Sequence, residues 1–221
     1  MVHILTMRPN SKSGGKNRPS FIEEARRRQI VDTAIKTIAT HGYSGTSLAE
    51  IAREAGISKG VISYHFEGKG ELIEEILSRL MREPAEFIKE RVDACERAGD
   101  KLRAYVAATF EFAKSHRNEL LALVDLWGRR ISSEGRNRFD AEAYEPSRHY
   151  LSRIIESGVA GGELSDVPLP TMASVMQATI DGVLLQWAFD DNAVDLDACR
   201  DEIQNMISRH VRERSRDEVG T

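Results

Sequence analysis

The chain has 221 residues, of which 41% are hydrophobic and 30% charged, and its formal net charge is −4. This length allows one large domain or two modest ones with a sizeable core, and the composition is ordinary for a soluble, helix-rich protein. No apolar run approaches the roughly 18 residues of a membrane helix, no signal peptide opens the chain, and Cys95 and Cys199 lack a CxxC or His-cluster neighbour. We therefore expect a cytoplasmic protein that contacts no membrane, binds no metal and carries no cofactor.

The front of the chain is basic and the remainder is acidic. Residues 1–70 contain eleven Lys and Arg against six Asp and Glu, whereas residues 71–221 contain twenty against twenty-nine. This asymmetry predicts that the front contacts a polyanion and the remainder does not. Residues 1–20, rich in Pro, Gly, Ser and basic side chains, predict a flexible arm. The arm is either an inert leader or a source of additional phosphate or minor-groove contacts.

Three helices are predicted after the arm. The first ends at Gly42, in the manner of a left-handed C-terminal glycine. Ser47 begins the second, where a capping box is expected: the Ser47 side chain caps the helix and the Glu50 side chain reaches back. Gly56 ends the second helix at a turn that requires positive φ, and Ser58 caps the third. Two short helices joined by such a turn indicate a helix-turn-helix.

From Phe66 onwards the apolar spacing is helical almost throughout, with a break or kink expected at Pro84. We find no strand alternation longer than a few residues, no internal repeat and no hairpin signal. The sequence therefore predicts an all-α fold, with the arm at 1–20, a three-helix helix-turn-helix domain at 21–68 and a larger helical domain at 69–221.

The segment GYSGTSLAEIAREAGISKGVISYHFEGKGELI, residues 42–73, resembles the TetR family of bacterial transcriptional regulators. It covers about a seventh of the chain and follows the family pattern from the initial glycine to the final apolar residues. One departure is that the family's usual tyrosine is Ser63 here, and Tyr64 follows it. The resemblance implies that the helix-turn-helix binds an operator in double-stranded DNA. It also implies that the larger domain binds a small molecule and forms a homodimer.

The resemblance further implies which side chains contact DNA. Thr46, His65 and Lys69 would contact phosphates, while the start of the third helix would face bases or sugars. Glycine in that helix would let the backbone approach the duplex closely. The implied DNA-binding residues are Thr46, Ser47, Ser58, Lys59, Gly60, Val61, Ser63, Tyr64, His65 and Lys69. For Tyr64 and His65 the alternative is a packing role in the head of the protein, against the first helix in the case of Tyr64.

A small-molecule pocket in the larger domain would be built from aromatic and polar side chains. The candidates are Phe110, Leu123, Trp127, Tyr144, Tyr150, Met176, Gln177, Asp181 and Trp187. An acid in an apolar helix, such as Asp125 or Asp181, must be paired or face something polar. A cationic aromatic ligand could therefore be held by ring stacking and a carboxylate. Alternatively, Phe110, Trp127 and Trp187 are core residues, and an Arg or a hydroxyl caps both acids.

By resemblance, the last two long helices, at about 168–190 and 195–213, form the dimer interface. Both carry apolar stripes wide enough to be shared between a core and a partner, and Gly182 would allow close helix approach. The candidate interface residues are Met172, Val175, Thr179, Val183, Leu196, Ile203, Met206 and Ile207.

The sequence thus predicts a homodimeric repressor that binds a palindromic operator and is released by a small-molecule effector of unknown identity. The effector is expected to be apolar or aromatic, with a cationic group as one option. Two alternatives are a DNA-binding interaction protein whose larger domain only dimerises, and an enzyme with a DNA-docking head. The sequence has no nucleophile elbow, metal-binding cluster or glycine-rich phosphate loop between strand and helix, so catalysis is not expected. The helix after Phe66 is the only covalent connection between the domains, so we expect it to transmit effector binding.

Overall fold

The computed structural model describes residues 20–127, 145–165 and 168–209, and in these ranges the regular elements are nine α-helices. They are α1 (Phe21–Gly45), α2 (Leu48–Glu54), α3 (Lys59–His65), α4 (Lys69–Asp93), α5 (Ala98–Ser115), α6 (Arg117–Trp127), α7 (Glu145–Ala160), α8 (Leu169–Phe189) and α9 (Leu196–Ser208). The predicted all-α class is confirmed. Tyr144 and all but the last residue of the predicted arm lie outside the described residues. None of the described helices is both long and apolar enough to cross a membrane.

A reciprocal capping box begins α1. The Ser20 hydroxyl accepts the Glu23 N–H at 3.3 Å, and the Glu23 carboxylate accepts the Ser20 N–H at 2.7 Å. Two of the donors that a helix start leaves unpaired are thereby satisfied. Towards the other end, Gly42 has a φ of 71°, a left-handed conformation that glycine adopts without steric cost. The predicted stop is therefore a kink, after which α1 continues to Gly45.

Helices α2 and α3 form the helix-turn-helix. Ser47 caps α2 by accepting the Glu50 N–H at 3.1 Å. The predicted return bond from Glu50 is wrong, because its carboxylate instead pairs with the Arg53 guanidinium, a charged and therefore stronger partner. Gly56 has the predicted positive φ, 65°. Ser58 is the N-cap residue of α3, but the predicted side-chain cap is not formed.

Helix α4 is continuous through Pro84, so a break there is wrong, whereas the other alternative, a kink, stays a prediction. Proline cannot donate a hydrogen bond to the Leu80 carbonyl four residues earlier, which normally weakens a helix. Here the apolar side chains on either side of Pro84 pack into two different cores, Leu80 into the first and Ile88 into the second. This packing holds α4 together across the proline and makes it a strut between the two halves of the molecule.

Two hydrophobic cores divide the described structure. The first joins α1, α2, α3 and the first half of α4, and we call α1–α3 the head. The second joins the rest of α4 to α5, α7, α8 and α9, and we call these last four helices the body. Helix α6 contacts both cores: Ala122 and Leu126 are buried in the first, and Leu120 packs against the second. Since α6 also lies along α1, the head has a non-covalent connection to the body besides α4.

Candidate functional site

Helix α3 turns one face to the head core and the other to solvent. Ile62 and Phe66 are buried, as predicted for Phe66. Seven of the ten residues predicted to bind DNA are exposed or half-buried on α3 and its N-cap: Ser58, Lys59, Gly60, Val61, Ser63, Tyr64 and His65. The fold thus gathers most of the predicted set on one surface, which we call the α3 surface.

Tyr64 projects from the α3 surface towards the start of α1. Its side chain is 74% exposed, and its hydroxyl donates to the Glu23 carboxylate at 3.1 Å. The rings of Tyr64 and His65 pack edge to face, with their centroids 5.1 Å apart. Hydrogen bonds from the Ser20 N–H and the Tyr64 hydroxyl lower the pKa of Glu23. The contact of Tyr64 with the first helix is therefore polar, and the ring stays open to solvent.

Two residues predicted to contact phosphates are engaged within the head. Thr46 is only 2% exposed, and its hydroxyl donates to the Gly42 carbonyl at 2.8 Å. The Lys69 ammonium donates to the carbonyls of Tyr43, at 2.9 Å, and Thr46, and it lies 3.8 Å from the centroid of the Tyr43 ring. Burial lowers the pKa of Lys69. Both side chains fasten the end of α1, so a phosphate would have to compete with these internal bonds.

Arg27 holds the end of α3 in place, a role that sequence reasoning missed. It donates to the His65 carbonyl at 2.6 Å, and its guanidinium lies 4.1 Å from the centroid of the Phe66 ring. It also pairs with Glu71 and Glu75 of α4, at 3.3 and 3.1 Å. The last carbonyls of a helix have no partner within the helix, so an Arg from α1 satisfies one of them. Three consecutive arginines are the sequence signal, but only packing decides which one faces inwards.

A cavity of about 890 Å³ lies between α4, α6 and the helices α5, α7 and α8. Its size falls within the roughly 300–1,000 Å³ typical of sites for drug-sized ligands. Five of the predicted ligand-binding residues line it: Leu123, Trp127, Tyr150, Gln177 and Asp181. The fold therefore brings together, around one space, residues that are more than fifty positions apart in the chain.

Two sets of hydrogen bonds, joined by a contact between two tyrosine rings, lie in the lining of the cavity. The Tyr105 hydroxyl donates to Gln177 Oε1 at 2.8 Å, and Gln177 Nε2 donates to Asp181 Oδ1 at 2.8 Å. The Tyr150 ring lies 6.3 Å from that of Tyr105, tilted by 44°, and its hydroxyl approaches Asp93 Oδ1 at 3.4 Å. We call these five residues the tyrosine–carboxylate cluster. It combines two aromatic rings with two carboxylates, of which Asp181 is half-buried and Asp93 is exposed and pairs with Lys89.

Burial sets the protonation of Asp181 and the two tyrosines of this cluster. It raises the pKa of Asp181 to about 6, against the opposing effect of the hydrogen bond from Gln177. It also raises the pKa of Tyr105 and of Tyr150 to about 12, so both hydroxyls stay protonated as donors. The Asp181 carboxylate is therefore ionised at neutral pH at an energetic cost, which a bound cation would reduce.

The other predicted ligand-binding residues lie elsewhere. Phe110 and Met176 are buried in the body core, and Trp187 packs against that core with the Arg117 guanidinium 5.4 Å from its ring centroid. Sequence reasoning missed Tyr105 and Asp93. Tyr105 offered one signal, since its hydroxyl interrupts an otherwise apolar helix face and so requires a partner. Across the described ranges, no group of three or more His, Cys, Asp or Glu side chains is arranged to hold a metal ion.

The residues predicted for the dimer interface divide into exposed and buried sets. Val175 and Met206 are 52% and 45% exposed on α8 and α9, and Met172 and Thr179 line the same shallow apolar groove. Ile203 and Ile207 form its floor, buried within the single chain, and Leu196 is also buried. Val183 packs against the body core. We call the groove lined by Met172, Val175, Thr179, Ile203, Met206 and Ile207 the outer groove.

Two family models match the chain. The first, described as bacterial regulatory proteins of the tetR family, matches residues 30–76, which contain the helix-turn-helix. The second, described as the C-terminal part of BetI-type transcriptional repressors, matches residues 98–213, more than half of the chain.

Relatives agree with both family models. The BetI regulator of Paraburkholderia phymatum is 28% identical over 80% of this chain and 88% of its own length. The fatty acid metabolism regulator of Bacillus subtilis is 24% identical over 81% and 92%. A Saccharomonospora viridis transcriptional regulator, solved in complex with choline, has the same fold: its TM-score is 0.76, with 24% identity over 86% of this chain and all of that one. The chain belongs to the TetR family of bacterial DNA-binding transcriptional regulators, and its C-terminal part is of the BetI-type repressor kind.

Proposed function

We propose that this chain is a ligand-responsive repressor that binds a palindromic operator as a homodimer and is released by a cationic effector. In this proposal residues 21–68 bind DNA through the α3 surface, and residues 69–221 bind the effector and the second subunit. The observation that carries the choice of effector is the tyrosine–carboxylate cluster. The relatives are named as transcriptional regulators, which supports a role in regulation rather than catalysis.

A cation fits the cluster for two physical reasons. The faces of aromatic rings attract cations, and two tyrosines 6.3 Å apart offer two such rings. A buried carboxylate is costly unless it is paired, and the hydrogen bond that Asp181 accepts comes from a neutral amide, Gln177. A quaternary ammonium group supplies the missing charge and needs no hydrogen-bond acceptor. The choline complex of the Saccharomonospora regulator supports this class of ligand.

An acyl compound is the second candidate effector. Lys101 and Arg153 both line the cavity, and either could pair with a carboxylate or phosphate. The Bacillus subtilis relative is named as a regulator of fatty acid metabolism, which points in the same direction. We place this candidate second because Asp181 lines the same cavity and would repel an anion. Asp93 lines it too, but that carboxylate pairs with Lys89.

The effector proposal is tested with choline and its neutral isostere, 3,3-dimethyl-1-butanol. The isostere has the same shape but a carbon in place of the charged nitrogen. Choline should raise the melting temperature by mass action and weaken operator binding about tenfold or more, as typical coupling energies allow. The operator is first selected from random-sequence DNA, and its release is followed by fluorescence anisotropy at constant ionic strength. Equal binding of the isostere would contradict the cationic assignment.

Two lysines separate DNA contact from fold stability. Lys59 is exposed at the start of α3, so Lys59→Ala should leave the melting temperature unchanged and flatten the slope of log affinity against log salt by about one per lost contact. Lys69→Ala removes two charge-assisted hydrogen bonds, so it should lower the melting temperature by roughly 3–10 °C. Salt titrations and thermal melts of both variants check this. An unchanged slope in Lys59→Ala would remove that residue from the interface.

A further inference from the structure

The cavity is elongated along the body. Its wall on α4 runs from Leu80 to Asp93, and its wall on α5 and the following cap runs from Lys101 to His116. At about 1.5 Å per helical residue, each of these walls is roughly 20 Å long. Choline, with only a handful of non-hydrogen atoms, would occupy a small part of a space of about 890 Å³.

The cavity changes from polar to apolar along its length. The tyrosine–carboxylate cluster contributes Asp93 near the end of α4 and Tyr105 near the start of α5. Towards the head the lining is mostly apolar, with Leu80 on α4 and Leu123 on α6, and both of these contact the head core. His116, which follows α5, and Glu119 on α6 are polar residues that also line the cavity. Helix α8 repeats the gradient. Its cavity-lining residues in chain order are Gln177, Asp181, Gly182, Leu184 and Leu185.

We propose that the effector is an elongated cationic amphiphile rather than a compact cation of choline's size. This inference rests on the cationic effector proposed above and specifies its shape. The ammonium group lies at the tyrosine–carboxylate cluster, and an unbranched apolar chain runs from it towards Leu80, Leu123 and Trp127 at the end of the cavity nearest the head. The alkyl chain of the effector thereby fills the apolar half of the cavity, which a compact cation leaves to water.

Alkyl chain length provides the test, because each buried methylene group adds a nearly constant increment to the binding free energy and so multiplies the affinity by a nearly constant factor. Transfer of one methylene from water to an apolar site corresponds to about a fourfold gain in affinity. Binding of choline and of butyl-, hexyl-, octyl- and decyltrimethylammonium to the full-length dimer is measured by titration calorimetry, below the micelle concentration of each compound. We expect affinity to rise about fourfold per methylene, and operator release to follow the same order.

A cavity-filling variant tests where the alkyl chain of the ligand lies. Val124 lines the apolar end on α6 and is half-buried, so Val124→Trp adds bulk to open space. It should lower the affinity for decyltrimethylammonium by at least tenfold and leave that for choline unchanged, with choline binding as the control for folding. If Val124→Trp does not fold, the length series on the unmodified protein decides alone.

The outcomes separate this inference from the proposal on which it rests. Choline binding with no gain along the series would overturn the elongated effector and leave the cationic effector intact. Binding of no trimethylammonium compound at any length would overturn both. Straight-chain carboxylates that bind as tightly as ammonium compounds of equal length would overturn the assignment of the charged end.

Discussion

Val175→Asp should convert the proposed dimer into folded monomers and lower operator affinity by about three orders of magnitude. A two-fold operator is bound by two identical heads, and the loss expected is the difference between specific binding, at about 10⁻⁸ M or tighter, and non-specific binding at about 10⁻⁴–10⁻⁶ M. Val175 is 52% exposed in the single chain and lines the outer groove. An Asp there costs the monomer little but would lie unpaired in an apolar interface, where it costs several kcal/mol.

The position of the charge decides how this result is interpreted. Ile203 is only 6% exposed at the floor of the same groove, so Ile203→Asp should unfold the body instead of yielding monomers. Ala160→Asp, at the exposed end of α7, is the matched control and should remain a dimer with full operator affinity. Light scattering gives the mass of each variant and circular dichroism its helix content. A Val175→Asp protein that still has the mass of a dimer would remove the outer groove as the interface.

The turn and the helix cap of the head could be predicted from the sequence, because both depend on residues that are close together in the chain. Gly56 has positive φ where the turn requires it, and Ser47 caps α2 by accepting a hydrogen bond from Glu50, three residues later. Both effects act over a few residues and are visible in the sequence. The bonds of Lys69 depend instead on where the end of α1 meets α4, which is a tertiary contact. A phosphate-binding lysine and a helix-fastening lysine therefore look alike in sequence.

In the body, the spacing of apolar residues does not distinguish those that are buried in the core from those that are exposed on the surface. The stripes on α8 and α9 recur at helical spacing, but this spacing alone does not divide Val175, which is exposed, from Ile203, which is buried. The same holds for the cavity, since Phe110 and Tyr105 share a helix and only the latter reaches the open space. Whether a residue lies in the core or beside a cavity depends on how several helices pack together, and the sequence of one helix does not determine this.

Helix α6 adds a connection between cavity and head that the chain order alone does not reveal. The Asp125 carboxylate accepts the N–H of Tyr43, next to the kink at Gly42. On the same helix, Leu123 and Trp127 line the cavity. A shift of α6 on ligand binding would therefore reach the end of α1 directly, in parallel with α4, and such small helix shifts are a known way to move distant elements.

Asp181→Asn should abolish most of the response to a cationic effector while making the protein more stable. The carboxylate attracts the cation only when ionised, and its pKa in the free protein is about 6. Affinity for choline should thus rise about tenfold between pH of roughly 5 and 7 in the unmodified protein, as the acid loses its proton. In the variant the part of this pH dependence that Asp181 contributes should disappear. His116, Asp93 and Glu119 also line the cavity and remain in the variant, so only the contribution of Asp181 is removed.

The gain in stability follows from the direction of the pKa shift. The pKa of Asp181 is higher in the folded protein, about 6, than its ordinary value of 3.8, so the folded state binds the proton more tightly and loses stability as pH rises through this interval. Above neutral pH the penalty is complete and amounts to at most about 3 kcal/mol. Asn keeps the shape and can still accept the Gln177 hydrogen bond without the charge. Asp181→Asn should therefore raise the melting temperature by roughly 5–10 °C above neutral pH and leave it unchanged below a pH of about 4.

A surface carboxylate supplies the comparison that gives this result its meaning. Glu156→Gln, on the exposed face of α7, removes the same charge without relieving burial, so its melting temperature should match that of the unmodified protein at every pH. A stabilising substitution that also removes ligand binding identifies a residue kept for function at the expense of stability. If Asp181→Asn instead destabilises the protein or abolishes operator binding without effector, Asp181 holds the fold together and the cluster is not the effector site.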